Sequence, residues 1–474
     1  MHNLYPARER LYFLPIGGTA MAPLAGLLQA MGHKVVGVDS GLYPPMSTLL
    51  AELGIPVRIG FDPAQIPEAI DRVIIGNAVP RSHPEVIAVR ERRVPFLSQA
   101  EAVAHYVLAR GLNSLVVAGT HGKTTTTALL AWILEDGGKD PTYLIGGLPA
   151  WSRRPFRLGD GGLMVIEGDE YNTAYFDRGP KFLHYRPHLF LLGPVEFDHA
   201  DLYPSLDAVI TAFRAGAAQV PAAGAVVVNG WSRYALAAVR DATAPVIRVG
   251  PGVDCDLQLR SWRPTANGGA AELTWRGETL TMAVPLAGLH NSQNAALALA
   301  SALTLGVEPD AALAALVRFP GVARRMELRG EVGGIAVIDD FAHHPTALAV
   351  TVEAARQRWP DRRLVVAFEP RSLTAARREF GAAYLEALAE ADLALVTAPF
   401  HRGRLADDEV LDRDELAREL ERRGVPTLVP DTDDDPVAVL LPHLASGDVV
   451  LGCSSGSFDD FHARLLEALG KNRE

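Results

Sequence analysis

The residues best suited to chemistry in this sequence stand in a short glycine-rich turn between an apolar strand and a helix. The turn spans residues 119–125, and its chemical groups are those of Gly119, Gly122, Lys123 and Thr124. Backbone N–H groups of such a turn point into one concavity at a helix N-terminus, where the partial positive charge favours phosphate. The lysine ammonium reaches the β- and γ-phosphates, and the threonine hydroxyl ligates magnesium. The turn therefore predicts a nucleoside triphosphate site.

This turn is a shortened form of the usual phosphate loop. The common pattern starts with a glycine where this chain has Val117, and here the first glycine is Gly119. A Gly-Lys-Thr sequence also occurs as a plain structural turn. The apolar strand before it and the helical stretch 128–134 after it favour the phosphate loop.

Polar residues follow other predicted strands of the same block. Glu167 comes directly after the strand 163–166, and His199 lies in the acidic segment 196–201 after the strand 189–192. In open parallel sheets, ligands lie outside the carboxyl ends of the strands. Carboxylates beside a triphosphate suit magnesium, so we expect Glu167 and His199 to bind this ion. The alternatives are a solvated acid for Glu167 and a structural hydrogen bond for His199.

Composition excludes several classes of protein. The chain has 474 residues, 48% of them hydrophobic and 21% charged, which is typical of a folded protein with more than one domain. A net charge of −11 argues against a nucleic-acid-binding protein. The two cysteines, Cys255 and Cys453, are widely separated and predict buried thiols rather than a disulfide or a zinc site. Since no apolar run approaches the roughly 20 residues of a membrane span and no signal-peptide pattern opens the chain, we predict a cytoplasmic protein.

Short β-branched runs alternate with Ala-, Leu- and Arg-rich helical stretches, which is typical of parallel sheets covered by helices. We predict an α/β fold with a Rossmann-like domain over 1–110, a central parallel-sheet domain with the phosphate loop over 111–321, and a second Rossmann-like domain over 322–474. A helix over 101–109 ends the first domain. The predicted strands are 11–16, 35–38, 72–75 and 94–97 in the first domain, 163–166, 189–192 and 225–228 in the second, and 335–338, 364–368, 393–396 and 449–451 in the third.

The first strand runs into a second glycine turn. Gly17, Gly18 and Thr19 follow it, and the next strand ends at Asp39. The glycines do not form a full Gly-x-Gly-x-x-Gly pattern, so they are a weak signal for a dinucleotide. A dehydrogenase remains an alternative class, although no other part of the sequence builds a hydride site. A non-catalytic nucleotide switch would also use the phosphate loop, but it has no need of the strand-end acids and histidines.

Four segments, in this order, resemble the Mur ligase family of ATP-dependent amide ligases in peptidoglycan synthesis: 119–125, 290–294, 324–327 and 339–346. Further stretches resemble the branch that joins the recovered tripeptide L-alanyl-γ-D-glutamyl-meso-diaminopimelate to UDP-N-acetylmuramate in cell-wall recycling. These stretches are 43–50, 170–171, 176–177, 181–182, 196–201 and 368–372. The sister branch, which joins L-alanine to the same sugar nucleotide, is the alternative.

The resemblance implies that the first domain binds UDP-N-acetylmuramate and that the central domain binds ATP and magnesium. The implied sugar-nucleotide residues are Gly17, Gly18, Thr19, Met21 and Asp39. The implied ATP residues are Gly119, Thr120, Gly122, Lys123, Thr124 and Thr125, with Asn294 near the adenine, and the metal ligands are Thr124, Glu167 and His199. The implied reaction is attack of the lactyl carboxylate on the γ-phosphate, which gives an acyl phosphate that the peptide amine then captures.

For the third domain, the resemblance implies contacts to the nucleotide and to the peptide as it closes over the site. Arg325 would meet the phosphates and Asp340 the ribose, while His343 and His344 would lie near the reacting groups. Glu369, Arg371 and Ser372 are candidates for gripping the peptide. Loop capping is the alternative for the two histidines, and a surface ion pair is the alternative for Arg371. Amine deprotonation suits His199, His343 or His344, because imidazole titrates near neutral pH.

Two positions depart from the family pattern. Asn172 stands where this branch has an aspartate, and no metal role follows for it. Several Mur ligases carry a carbamylated lysine downstream of the histidine motif, where this chain has Arg214. A guanidinium stays protonated, so Arg214 or a water would have to supply any equivalent contact. The sequence leaves open the third peptide residue and whether the protein is a monomer or a dimer.

Overall fold

The structure, a computed structural model, describes residues 8–198, 202–400, 403 and 405–471. Strands and helices alternate through these ranges. None of the helices in the described ranges is both long enough and apolar enough to cross a bilayer.

The strands of the described ranges are short, and those of the parallel sheets have mainly apolar, buried centres. They are β1 (Arg10–Leu14), β2 (Lys34–Asp39), β3 (Val57–Ile59), β4 (Arg72–Ile75), β5 (Phe96–Ser98), β6 (Asn113–Ala118), β7 (Thr142–Leu144), β8 (Phe156–Arg157), β9 (Leu163–Gly168), β10 (Asn172–Ala174), β11 (Asp177–Pro180), β12 (Leu189–Leu192), β13 (Ala225–Asn229), β14 (Val246–Gly250), β15 (Leu257–Thr265), β16 (Gly268–Trp275), β17 (Glu278–Val284), β18 (Glu327–Val332), β19 (Ile335–Asp340), β20 (Leu364–Phe368), β21 (Leu393–Val396), β22 (Thr427–Leu428) and β23 (Val449–Cys453).

The α-helices of these ranges mostly connect successive parallel strands. They are α1 (Met21–Ala30), α2 (Met46–Glu52), α3 (Pro84–Glu91), α4 (Gln99–Ala102), α5 (Lys123–Asp136), α6 (Leu206–Ala218), α7 (Arg233–Ala238), α8 (Leu289–Thr304), α9 (Pro309–Val317), α10 (Pro345–Arg358), α11 (Gly381–Leu388), α12 (Arg413–Arg422), α13 (Pro436–Leu440) and α14 (Phe461–Lys471).

Three larger sheets organise the part of the chain that the structure describes. A five-stranded parallel sheet has the order β3-β2-β1-β4-β5. A ten-stranded sheet has the order β17-β16-β15-β14-β13-β12-β6-β9-β7-β8, and a six-stranded sheet has the order β18-β19-β23-β20-β21-β22. The run from β14 to β7 is parallel, and so is the run from β19 to β22. The predicted α/β class with parallel sheets is confirmed.

Both faces of the parallel sheets are covered, as their apolar strands require. In β1, Leu11 and Phe13 pack into one buried cluster while Tyr12 and Leu14 pack into another on the opposite face. The strand β20 behaves in the same way, because its alternate residues enter two different clusters. Side chains alternate across a strand, so a strand that is apolar at every position needs a helical layer on each face.

The chain divides into two compact units. The first contains residues 1–260, 272–282 and 293–320, and the second contains residues 261–271, 283–292 and 321–474. The predicted domain boundaries after residues 110 and 321 stay predictions.

Proline explains two differences from the predicted strands. The strand β1 ends at Leu14, before the predicted end at residue 16, because Pro15 has no N–H to continue the ladder. The strand β5 begins at Phe96 rather than at Val94, since Pro95 again interrupts the pairing.

The predicted helix 101–109 is an α-helix only at its start. Ser98 caps α4 with a reciprocal bond to Glu101, so the helix begins two residues earlier than predicted. A wider π-type turn over Val103–Val107 and a tight 3₁₀ turn over Leu108–Arg110 follow it. The segment ends at Gly111, whose φ of +83° suits a glycine.

Candidate active site

The glycine-rich turn joins β6 to α5, and its backbone requires the two glycines. Gly119 has a φ of +129° and Gly122 a φ of +77°, conformations that side chains with a Cβ rarely adopt. A Cβ on Gly119 would lie 3.0 Å from the Gly193 Cα, and one on Gly122 would lie 2.6 Å from the Asn294 Oδ1. A side chain at either glycine would therefore meet close neighbours, and at Gly122 that neighbour is Asn294 of α8.

The segment after β12 holds the turn in place. The Thr120 N–H donates to the Pro194 carbonyl over 2.8 Å, and the Glu196 N–H donates to the Thr120 Oγ1 over 3.0 Å. The His121 Nε2 lies 3.2 Å from the Glu196 Oε2. Because β12 and β6 are neighbours in the sheet, the segments that follow them meet at its carboxyl edge.

The Lys123 ammonium donates hydrogen bonds to groups close to the glycine-rich turn. Its Nζ donates to the Gly119 carbonyl over 2.7 Å and to the Glu170 Oε2 over 2.9 Å. Burial alone would lower the pKa of Lys123, but the charges of Glu170, Asp169 and Glu167 outweigh it and raise the pKa above 10.5. The ammonium is therefore fully charged at neutral pH and lies against the backbone of the turn.

Glu167 and Thr124, both predicted to bind magnesium, are hydrogen-bonded to each other. The Thr124 hydroxyl donates to the Glu167 Oε2 over 3.1 Å, and the Gly146 N–H donates to the Glu167 Oε1 over 2.5 Å. Thr125, the next residue of α5, is buried beneath them. Carboxylate and hydroxyl oxygens at the rim of a phosphate turn fit Mg²⁺, which takes few protein ligands and keeps several waters.

A second buried ion pair lies beside Lys123. The Lys181 Nζ lies 3.1 Å from the Asp169 Oδ2 and 4.5 Å from the centre of the Tyr171 ring. Burial raises the pKa of Asp169, but the charges of Lys181 and Lys123 lower it by more than burial raises it. The pKa of Asp169 therefore lies below its ordinary value. Asp169 therefore remains ionised beside the two lysines.

The glycine turn after β1 is tied to the end of β2. The Gly17 N–H donates to the Asp39 Oδ2 over 2.7 Å, and a Cβ on Gly17 would lie 2.8 Å from the same oxygen. Gly18 and Thr19 are exposed, whereas Met21 is buried at the start of α1. The Gly18 carbonyl accepts from the Met21 N–H over 3.0 Å. The structure thus brings the five predicted sugar-nucleotide residues to one edge of the five-stranded sheet.

In the second unit, Asp340 is buried at the end of β19. It accepts from the Met326 N–H over 2.7 Å and from the Ala342 N–H over 2.8 Å. Burial raises the pKa of Asp340 although Arg325 and these two N–H groups oppose it. The Arg325 guanidinium lies 5.0 Å from the centre of the Phe341 ring. Arg325 and Asp340, both predicted to meet the nucleotide, are therefore neighbours.

The predicted peptide residues follow β20, next to β23 in the sheet. The Glu369 carboxylate accepts from the Ser454 hydroxyl, and the Arg371 Nη1 lies 3.4 Å from the Glu369 Oε1. The Arg371 guanidinium stacks 4.0 Å from the centre of the Phe400 ring. The Ser372 Oγ accepts from the Ala375 N–H over 2.9 Å, so this residue caps a turn.

The two histidines after β19 make contacts to the backbone. The His343 Nδ1 lies 3.1 Å from the Phe341 carbonyl, and the His344 Nδ1 accepts from the Thr346 N–H over 3.3 Å at the start of α10. The structure thus shows the capping contact for His344, while a chemical role for either residue stays a prediction. His199 lies outside the described residues.

Sequence reasoning assigned no role to three residues that the structure brings to these sites. Glu170 pairs with Lys123, Glu196 lies beside His121, and Ser454 bonds to Glu369. Glu170 and Ser454 stand just after strands, as the predicted residues do, and that position is the signal for them. Of the two departures, Asn172 begins β10, and Arg214 on α6 is half exposed, with its Nε 3.9 Å from the Asp241 Oδ2.

Comparison with known proteins assigns the chain to a family. Residues 10–110 match the Mur ligase family catalytic domain, residues 117–302 the Mur ligase middle domain, and residues 324–456 the Mur ligase glutamate ligase domain. The UDP-N-acetylmuramate–L-alanyl-γ-D-glutamyl-meso-2,6-diaminoheptandioate ligase of Escherichia coli is 35% identical over 98% of this chain and 99% of its own. A UDP-N-acetylmuramate–L-alanine ligase of Acidithiobacillus ferrooxidans is also 35% identical, over 98% of each chain.

A solved structure resembles the whole chain. The murein peptide ligase of Psychrobacter arcticus superimposes with a TM-score of 0.74 at 32% identity, covering 98% of this chain and 99% of that one. The sequence likeness and the structural likeness thus extend over both compact units, including the phosphate turn and the segments after β19, β20 and β23. The chain belongs to the Mur ligase family.

Proposed function

We propose that this chain is an ATP-dependent ligase that joins UDP-N-acetylmuramate to the tripeptide L-alanyl-γ-D-glutamyl-meso-diaminopimelate, with release of ADP and phosphate. Full-length similarity to relatives of that name supports the substrates. The observation that carries the proposal is the charged Lys123 bonded to the backbone of the phosphate turn, with the bonded pair of Thr124 and Glu167 in the same site.

The reaction requires positive charge at the phosphate turn. A carboxylate is a poor electrophile, and its attack on a triphosphate brings like charges together. Lys123 neutralises the γ-phosphate as the lactyl carboxylate attacks it, which gives an acyl phosphate and ADP. The N–H groups of the turn 119–124 hold the remaining phosphate charge without reorganisation.

Thr124 and Glu167 are the residues that would hold magnesium, with His199 as a further candidate. The bound ion would supply a second positive charge on the phosphates. Within the chain, the Gly146 N–H orients the Glu167 carboxylate towards Thr124. The cation also fits the charge balance, since Glu167, Asp169 and Glu170 place three acids opposite Lys123 and Lys181.

The second half of the reaction is amide formation. The tripeptide amine attacks the acyl phosphate, and the tetrahedral intermediate loses phosphate. Glu369 and Arg371 carry opposite charges and suit the charged ends of a peptide, while Arg325 and Asp340 suit the nucleotide. The amine must lose its proton, and His199, His343 and His344 are the candidate bases.

One specific observation favours a second function. The L-alanine ligase of A. ferrooxidans is as similar in sequence as the E. coli tripeptide ligase, at 35% identity over nearly the whole chain. That enzyme class uses the same sugar nucleotide and the same ATP chemistry, so only the amine substrate separates the two candidates.

A paired-substrate assay tests the proposal. Purified protein receives UDP-N-acetylmuramate, ATP, a magnesium salt and either tripeptide or L-alanine, and released phosphate and product mass are measured. We expect phosphate release with tripeptide at a kcat/KM at least about a hundredfold above that with L-alanine, since the tripeptide carries further charged groups for Glu369 and Arg371 that L-alanine lacks. The reverse preference would assign the chain to the L-alanine branch. No phosphate release with either amine would contradict the ligase itself.

A further inference from the structure

Two residues with positive φ flank Arg325, and two carboxylates hold their backbone. Arg324 has a φ of +60° and Met326 a φ of +52°, uncommon values for residues with side chains. The Arg324 N–H donates to the Glu327 Oε2 over 2.8 Å, and the Met326 N–H donates to the Asp340 Oδ2 over 2.7 Å. The direction of the Arg325 side chain therefore depends on this turn keeping its conformation.

The Arg324 guanidinium joins this turn to the loop after β23. Its Nη2 donates to the Ser454 carbonyl over 2.7 Å and to the Gly456 carbonyl over 2.6 Å, and its Nε lies 3.3 Å from the Asp339 Oδ1. The same guanidinium lies 5.2 Å from the centre of the Phe341 ring, on which Arg325 also rests. One side chain thus bonds to the ends of two neighbouring strands, β19 and β23.

The loop that Arg324 holds is also the loop against which the predicted peptide residues rest. The Ser454 hydroxyl donates to Glu369, and the Gly456 N–H donates to the Ser454 Oγ over 2.9 Å. A Cβ on Gly456 would lie 2.0 Å from the Arg371 Cδ, so the loop and the Arg371 side chain are in direct contact. The loop is therefore bonded to Glu369 and packs directly against Arg371.

We propose that Arg324 is a positioning residue that couples the nucleotide contacts of Arg325 and Asp340 to the peptide contacts of Glu369 and Arg371. This inference rests on the proposed function, because it assigns the two ligands by that reaction. A nucleotide bound to Arg325 stabilises the conformation of the turn 324–326. Arg324 then holds the carbonyls of Ser454 and Gly456, and their loop positions Glu369 and Arg371 for the peptide. Binding of nucleotide therefore strengthens binding of peptide, and by linkage the reverse holds to the same degree.

The chemistry of the side chain explains why arginine is needed. A guanidinium presents its donors in a rigid planar fork, so one residue satisfies two carbonyls and a carboxylate together. A lysine ammonium is a point charge on a flexible stem and does not reproduce that geometry. The chain offers a matched control in Arg329, whose Nη1 lies 3.4 Å from the Asp339 Oδ2. Arg329 shares the carboxylate partner of Arg324, and its described bonds go to Asp339 and Glu327 rather than to the loop after β23.

The test measures tripeptide affinity by calorimetry with and without the non-hydrolysable analogue β,γ-imido-ATP, with UDP-N-acetylmuramate saturating throughout. We expect the analogue to tighten tripeptide binding by at least about fivefold in the wild-type protein. The ratio of interest is the tripeptide Kd without the analogue divided by the Kd with it. In Arg324→Gln and Arg324→Lys this ratio falls below about twofold, while Arg329→Gln keeps the wild-type ratio. Thermal unfolding identifies variants that are folded, and Arg324→Lys serves if Arg324→Gln does not fold.

The outcomes separate this inference from the proposed function. If the wild-type protein binds no tripeptide in either arm, the proposed function fails. If the wild-type protein binds tripeptide but the analogue does not tighten that binding, the coupling role is wrong. The role is also wrong if the analogue tightens binding equally in the wild type and in the folded Arg324 variants. If Arg329→Gln reduces the effect of the analogue as much as the Arg324 variants do, the effect belongs to Asp339 alone. That result would also overturn the role proposed for the Arg324 guanidinium.

Discussion

The phosphate turn of the first unit and the ligand segments of the second unit are built in different ways. At the turn, Gly119, Lys123 and Thr124 lie within one short segment that runs from the end of β6 into the first turn of α5. In the second unit, Arg325, Glu369 and Ser454 come from three separate connections that only the sheet order brings together. The first site is therefore a local property of the backbone, whereas the second depends on long-range side-chain contacts. We therefore expect the loss of Lys123 at the first site to reduce activity more than the loss of one residue at the second.

The largest expected effect tests the local character of the phosphate turn. Lys123→Ala removes the charge that meets the γ-phosphate, so we expect kcat/KM to fall by at least about a hundredfold. Binding of UDP-N-acetylmuramate should persist. Phosphate release and calorimetry measure the two quantities, with Lys139→Ala as a control lysine of the same unit. Near-normal turnover in Lys123→Ala would refute its assigned role.

Glu167→Gln tests the metal assignment with a smaller expected effect. The amide keeps the shape of the side chain but loses the charge that a hard cation prefers. We expect the magnesium concentration for half-maximal activity to rise on the order of tenfold or more. A magnesium titration of phosphate release measures it, and Glu278→Gln, an exposed acid on β17, should leave the midpoint unchanged. An unchanged midpoint in Glu167→Gln would remove Glu167 from the metal site.

Two glycines at the ends of α5 allow the effect of backbone strain to be separated from an effect on nucleotide binding. Gly122 and Gly138, at the two ends of this helix, have φ values of +77° and +71°. A Cβ would meet Asn294 at Gly122 and nothing within 4 Å at Gly138. We expect both alanine variants to lose about 1 kcal/mol of stability, and Gly122→Ala alone to raise the KM for ATP by roughly tenfold. Similar KM values in the two variants would show that the turn tolerates a side chain.

The smallest expected effect concerns pH and distinguishes the two units. In the second unit, His462 lies 3.7 Å from Asp339, and burial lowers its pKa below the ordinary 6.5 although Asp339 opposes this. As the pH falls below 6.5, the unfolded chain binds a proton that the folded unit excludes, so stability decreases until the folded pKa is reached. Lys123 in the first unit should not contribute to this loss of stability on acidification. Its pKa is raised, so the ammonium stays charged at every pH below 10.5.

Thermal unfolding between pH 8 and pH 5, in steps of about one unit, measures this difference. His462→Gln should lose less stability on acidification than the wild-type protein, while His443→Gln, an exposed histidine of the same unit, should follow the wild type. Equal acid losses in wild type and His462→Gln would show that His462 does not carry the effect.

Parallel strands and the segments after them were predictable because the strand centres are apolar and glycine or polar residues follow them. The strands β12, β20 and β21 have the predicted bounds, and Gly119 and Gly122 take the backbone conformations that a phosphate turn needs. The strands β15, β16 and β17 were missed, because they are half exposed and their polar residues weaken the β-branched pattern. The ends of β1 and β5 were misplaced because a proline counts as apolar in a pattern yet donates no hydrogen bond.

The amino-acid order alone determined the phosphate turn, the alternation of strands and helices, and the acids that follow the strands, since each depends on neighbours along the chain. The pairing of Lys123 with Glu170 and the bonds from Arg324 to Ser454 and Gly456 were decided by the tertiary structure. These partners are 47, 130 and 132 residues apart in the chain. Their contacts follow from which strands lie side by side, and no local pattern of residues specifies that order.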